Sequence, residues 1–262
     1  MTEALYRDSA EFIYENLRLK TFPVAAKFLD SATFPDKTVR PKGRLGNKIT
    51  ICMAVSMARM YGWTVGLARE DIICVPAMIS FGFTGSTNQA DTIGKLFCDV
   101  TFAKDRESGM REASQMSFIP SRETGAVLIA PLTRAEFEPD TVAIYGNPGQ
   151  IMRLIQAWTY STSERVTGVF GGKIECTEYL IAPYKTGKPR IAIPGAGDRI
   201  FSMTQDEEMV FAMPTSGIEA ACEGLKQAGK KIGSKYPITF YQNYQPEFPP
   251  HYKTLAKELG ID

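Results

Sequence analysis

Between Val142 and Ala157 the chain commits itself to a strand, a turn and a helix in one unbroken run. Val142-Ala143-Ile144-Tyr145 is β-branched and aromatic, the composition of a buried strand. Gly146-Asn147-Pro148-Gly149 then turns the chain. Asn147 is a good N-cap, Pro148 suits a first helical position, and Ile151, Leu154 and Ile155 share one helical face. A strand that feeds a helix this way restricts the chain to a layered α/β design. The turn reads in two ways: as a well-capped corner, or as a helix start whose free backbone N–H groups hold an anion. For the second reading Asn147, Gln150 and Arg153 are the candidate ligand-binding residues.

The rest of the chain sets bounds. It has 262 residues, 44% of them hydrophobic and 23% charged, the balance of an ordinary globular protein. Thirty basic and 29 acidic residues leave a formal charge of +1, so no global field favours nucleic acid. No basic, apolar leader opens the chain, and no apolar run approaches the roughly 20 residues of a membrane helix. A cytoplasmic protein without nucleic-acid or membrane partners is expected, and a homo-oligomer.

Apolar periodicity predicts further elements. Helices are expected up to about Leu19, over Ile51–Tyr61, Asp105–Met116, Gln150–Tyr160 and about Ser216–Ala228. Strands are expected at Pro23–Leu29, Trp63–Ala68, Leu96–Phe102, Ala126–Pro131, Val142–Tyr145, Arg165–Phe170, Ile191–Pro194 and Met209–Met213. The fold class is therefore α/β, mixed sheets with flanking helices. Met53…Ala58…Tyr61 can be laid over Met152…Ala157…Tyr160, and Cys74 over Cys176. This suggests two pseudo-repeated β-α-β-α-β-α halves, residues 20–118 and 124–228, within one domain, followed by a Tyr/Pro-rich tail over 234–262. A ligand cleft is expected at the seam between such halves.

Chemistry is narrowed by a near-absence. The one histidine, His251, sits in Pro249-Pro250-His251 and reads as a surface or packing residue. Triads and His-rich metal sites are thereby disfavoured. Five cysteines remain: Cys52, Cys74, Cys98, Cys176 and Cys222. An odd, scattered set reads as free thiols rather than a disulfide frame. Cys98 and Cys222 fall within apolar elements and read as core. Cys52, Cys74 and Cys176 each open an apolar stretch, and three thiolates from three turns suit an iron–sulfur cluster or another soft metal. The same residues admit a cofactor-free alternative, with Cys176 or Cys74 as nucleophile and Glu175 or Glu178 as base. Gly195-Ala196-Gly197-Asp198-Arg199 forms a second glycine loop, where Asp198 and Arg199 are further ligand-binding candidates. There is neither a Gly-x-Gly-x-x-Gly nor a Walker lysine motif, so nucleotide binding of either type is not indicated.

Several of these signatures occur together: Pro23-Val24-Ala25-Ala26-Lys27, Cys52 with Ala54 and Ala58, Ala130-Pro131-Leu132, Gly146-Asn147-Pro148 with Gln150 and Met152-Arg153, and Cys176 with Ala182-Pro183-Tyr184. In this set, from about Leu17 to Leu225, the chain resembles domain of unknown function 169, a family common in archaea and anaerobic bacteria. The resemblance aligns Cys52, Cys74 and Cys176 with cysteines of that family and carries no activity. Two stretches depart from the usual pattern, Val75-Pro76-Ala77 after Cys74 and the loop Gly195–Arg199. The leading expectation is a metal- or iron-sulfur-binding protein of anaerobic metabolism that also takes a small anionic molecule. A cysteine-dependent enzyme acting on a small acid or thioester, and a non-catalytic binding or assembly subunit, are the alternatives.

Overall fold

Seven segments become strands: β1 (Val24–Leu29), β2 (Val65–Ala68), β3 (Ala126–Pro131), β4 (Thr141–Gly146), β5 (Thr167–Gly168), β6 (Arg190–Ala192) and β7 (Met209–Pro214). In the computed structural model, which describes residues 3–238 and 249–261, they form one sheet in the order β2-β3-β1-β4-β7-β6-β5. Every neighbouring pair is antiparallel except β5 and β6. Strands β3 and β4 are buried at every position, so the sheet must be covered on both faces.

The coverings follow from side-chain alternation. In β4, Ala143 and Tyr145 point to one face and Val142 and Ile144 to the other. In β7, Val210 and Ala212 join the first set, Phe211 and Met213 the second. The first face is packed by α3 (Ile51–Tyr61), α4 (Val75–Ser80) and a π-turn over Thr177–Ile181 that runs into α8 (Ala182–Thr186). The second face is packed by α1 (Glu3–Leu17), α7 (Pro148–Thr162) and α10 (Ile218–Gln227). Helices α5 (Gln89–Asp99) and α6 (Arg106–Ala113) make a satellite hairpin whose buried side chains Ile93, Phe97 and Ala113 gather with Ile79 of α4. Short helices α2 (Pro41–Leu45), α9 (Ala196–Phe201) and α11 (Pro250–Glu258) complete the α-helices among the described residues. None of the described helices is long and apolar enough to cross a membrane.

The mixed sheet with flanking helices agrees with the α/β expectation, and the elements β3, α3 and β7 fall where periodicity put them. Three expectations differ. Leu96–Phe102 is the end of α5 and a turn, not a strand. Asn88 caps this helix by accepting from Asp91 N at 3.0 Å, and Ile93 and Phe97 bury at a spacing of four. Within Arg165–Phe170 only Thr167 and Gly168 pair as a strand. The repeat of two halves is not confirmed: residues 20–118 hold β1 and β2, whereas residues 124–228 hold β3 through β7. Most of the Tyr/Pro-rich tail lies outside the described residues. His251 is on the exposed α11, its ring 4.9 Å from that of Tyr252.

Candidate functional site

The site begins with three helix starts on the first face of the sheet. Thr50 caps α3 by accepting from Met53 N at 3.1 Å, which sets Cys52 at the second helical position. The Cys52 thiol lies 2.9 Å from Thr50 Oγ1 and donates to Gly197 O at 3.6 Å. Cys74 occupies the N-cap position of α4. Cys176 precedes the π-turn and is 7% exposed. A fourth start, α9, supplies Asp198, which reaches back to accept from Gly195 N at 3.1 Å and accepts from Tyr179 Oη at 2.6 Å. Gly195 is needed here, because a Cβ at that position would lie 3.0 Å from Gly172 O and from the Lys173 backbone. The Gly195–Arg199 loop touches the Gly171-Gly172 turn that precedes Cys176, with Ala196 N donating to Gly172 O at 2.9 Å.

These groups share one electrostatic environment. Burial pushes the Cys52 thiol up to about 12, with the Asp198 carboxylate and Cys74 adding to the shift. Burial raises Cys176 well above the ordinary thiol range, reinforced by Asp198, Cys74 and Cys52. It raises Cys74 too, again with Asp198 behind it. A helix N-terminus favours a thiolate, yet at Cys52 desolvation outweighs the dipole. Asp198 is itself raised by burial, which its hydrogen bonds from Tyr179 and Gly195 only partly offset. At neutral pH the free site is therefore a set of protonated thiols around a reluctant carboxylate.

Behind Asp198 stands an aromatic and ionic wall. Tyr179 meets Tyr145 edge-on at 5.9 Å, and the Arg59 guanidinium lies 4.1 Å from the Tyr145 ring centre. Arg59 is 1% exposed and donates to both Glu208 oxygens, at 2.7 and 3.0 Å. Glu175, next to Cys176, accepts from Gly171 N and Gly172 N at 2.6 Å each, while its Oε2 is buried without a partner. Burial pushes Glu175 up to about 7 and also raises Glu178, whose Oε1 accepts from Ser117 N at 3.2 Å.

The residues read from sequence as one anion site are divided by the sheet. Asn147 and Gln150 form a reciprocal capping box at the start of α7, with bonds of 3.0 and 2.7 Å. Gln150 Nε2 then donates to Leu17 O at 2.9 Å and Arg18 O at 3.1 Å, which ties α7 to the end of α1. Both serve the second face, with Arg153 one turn further on, whereas Asp198 belongs to the thiols on the first. Arg199 donates to Gln205 O at 2.7 Å and meets Asp206 at 3.4 Å, closing its own loop. All five cysteines are free thiols; Cys98 is half-buried on α5, and Cys222 is buried on α10. Among the described residues, no group of three or more His, Cys, Asp or Glu side chains is arranged to hold a metal ion.

Sequence reasoning missed Arg59, Glu208, Tyr145 and Tyr179 as parts of this site. One signal was available: Arg59 is a lone cation inside an otherwise apolar helix, and such a residue needs a buried partner. The tyrosines carried no such mark, since both sit in apolar runs that read as core.

Comparison with known proteins places the chain. It belongs to the family described as "Uncharacterised ArCR", domain of unknown function 169, which matches residues 13–224. It is 24% identical over 223 residues to an uncharacterised protein of Methanocaldococcus jannaschii, covering 84% of this chain and 93% of that protein. No solved structure matches the chain.

Proposed function

For this member of the uncharacterised ArCR family, we propose that Cys52, Cys74 and Cys176 bind a soft cation, an iron–sulfur cluster or a single metal ion, with Asp198 beside it. The observation that carries this reading is the convergence of three thiols and one buried carboxyl from four separate helix starts, with Asp198 acting to raise the pKa of each thiol. Buried thiols gathered beside one carboxyl are groups whose ionised forms a bound cation would stabilise. Arg59, the cation that acts on Asp198, is already committed to Glu208.

The energetics favour a cation over a nucleophile. Ionising Cys52 at pH 7 costs on the order of 7 kcal/mol from its raised pKa. A structural zinc site supplies roughly 10–16 kcal/mol over its whole ligand set, which meets that cost for one such thiol. A nucleophilic cysteine needs a base or a nearby cation instead. Glu175 Oε1 is occupied by two backbone N–H groups, and the sulfur of Cys176 lies against Ile174 O at 3.8 Å. The donor types suit a soft metal, although their arrangement among the described residues does not itself form a metal-binding group.

The test is metal and acid-labile sulfide analysis, with an absorption spectrum, on protein purified without oxygen. Stoichiometric metal is expected, lost in Cys52→Ala and Cys176→Ala and kept in Cys98→Ala and Cys222→Ala. A protein that is metal-free as purified, and takes up neither ferrous iron with sulfide nor zinc or cobalt, would sink the reading.

A further inference from the structure

We propose that the cavity between α1, α7 and α10, on the face of the sheet opposite the thiols, binds a compact polyanion, a small molecule with two or more phosphoryl or carboxylate charges. The cavity measures about 390 Å³. Arg153, Lys226, Lys230 and Lys235 line it, and among the described residues no aspartate or glutamate does.

Arg153 is the centre of the argument. It is 3% exposed, as deeply placed as Arg59, but its surroundings are different. Arg59 meets a carboxylate with two bonds. The Arg153 guanidinium donates only to neutral acceptors: Gln156 Oε1 at 2.5 Å, Ala228 O at 3.1 Å, Ser234 Oγ at 3.2 Å and Leu225 O at 3.3 Å. Burial pushes its pKa down, and no carboxylate offsets that shift. The carbonyls of Leu225 and Ala228 belong to the end of α10, where a helix presents about half a negative charge. That is enough to orient the guanidinium and too little to neutralise it, and the three lysines add to the deficit. Lys226 is held with its ammonium 5.0 Å from the Phe12 ring centre. Asn16, Ser234 and Tyr236 place neutral polar groups on the same wall. A planar fork flanked by ammonium groups is the arrangement that recognises phosphoryl and carboxylate oxygens. An arriving polyanion supplies the missing counter-charge.

Calorimetric titration of the full chain at low salt, with inorganic pyrophosphate in one arm and citrate in the other, tests this. One ion per chain is expected to bind, more weakly as salt is added. Lys230→Gln combined with Lys235→Gln, both exposed, should weaken binding at least tenfold, and Arg153→Gln should abolish it. Tighter binding of pyrophosphate assigns a phosphorylated ligand, and tighter binding of citrate a polycarboxylate. Failure of both probes to bind overturns the proposal, as does unchanged affinity in the double lysine variant. The cavity does not contact the thiols, so metal content and anion affinity report separately.

Discussion

Glu175 shows how one buried atom sets a pH dependence. Its carboxyl is 1% exposed, with one oxygen held by two glycine N–H groups and the other unpartnered, and burial lifts its pKa to about 7. The folded protein therefore holds this proton more tightly than the unfolded chain. The resulting stability is fully present below the ordinary carboxyl value of 4.5 and is lost as pH rises through about 7. In metal-free protein, Glu175→Gln should match the wild type near pH 4.5. At pH 8 it should be more stable by on the order of 3 kcal/mol. Urea unfolding at the two pH values measures this, and equal stabilities at pH 8 would refute it. The cysteines are governed by the same physics. Their identity was legible in the sequence, because few other groups in this chain can hold a soft metal. Their protonation was not, because desolvation depends on what the fold stacks over them.

At the scale of elements, close backbone approach decides which helices can pair. Helices α7 and α10 cross where a Cβ on Gly224 would lie 2.0 Å from Ala157 O. Backbone cannot yield as a flexible side chain can, so Gly224→Ala must push the helices apart. A loss of roughly 1–3 kcal/mol is expected, the usual cost of overpacking. A lower thermal midpoint with unchanged helix content would show it, and an unchanged midpoint would count against the crossing. The Asn147–Gln150 motif belongs to this scale as well. Its sequence signal was strong and its position correct, yet its side chains are spent on capping α7 and tying it to α1. Residues that end a strand and start a helix look alike whether the turn is a corner or a ligand site. The misread stretch Leu96–Phe102 has a similar cause. A short apolar run fits either period, and here the Asn88 cap and the partner helix α6 chose the helical one.

Across the whole molecule, the sheet separates two kinds of chemistry. Cys52, Cys74, Cys176 and Asp198 gather on the face of Ala143 and Tyr145, and Arg153 with its neighbouring lysines lies beyond that of Val142 and Ile144. The sheet lies between the two helix layers, so perturbations on the two sides should act independently. Cys176→Ala and Gly224→Ala, one on each side, should add in a double-mutant cycle to within about 0.5 kcal/mol. A larger coupling, measured by denaturant unfolding, would mean that the faces communicate through the strands.

By itself the sequence determined the elements and the palette. Local period, caps and β-branched runs are properties of a few neighbouring residues, so α3, β3, β4 and α7 could be read directly. A chain with a single histidine and several free thiols restricts chemistry before any folding is considered. The tertiary structure alone decided which residues share a site. Strand order is set by pairing between distant segments, which placed β1 between β3 and β4 and parted Asp198 from Asn147 and Arg153. Burial then decided the charge states. Whether Arg59 finds a carboxylate, and Arg153 does not, depends on long-range packing that no local pattern encodes.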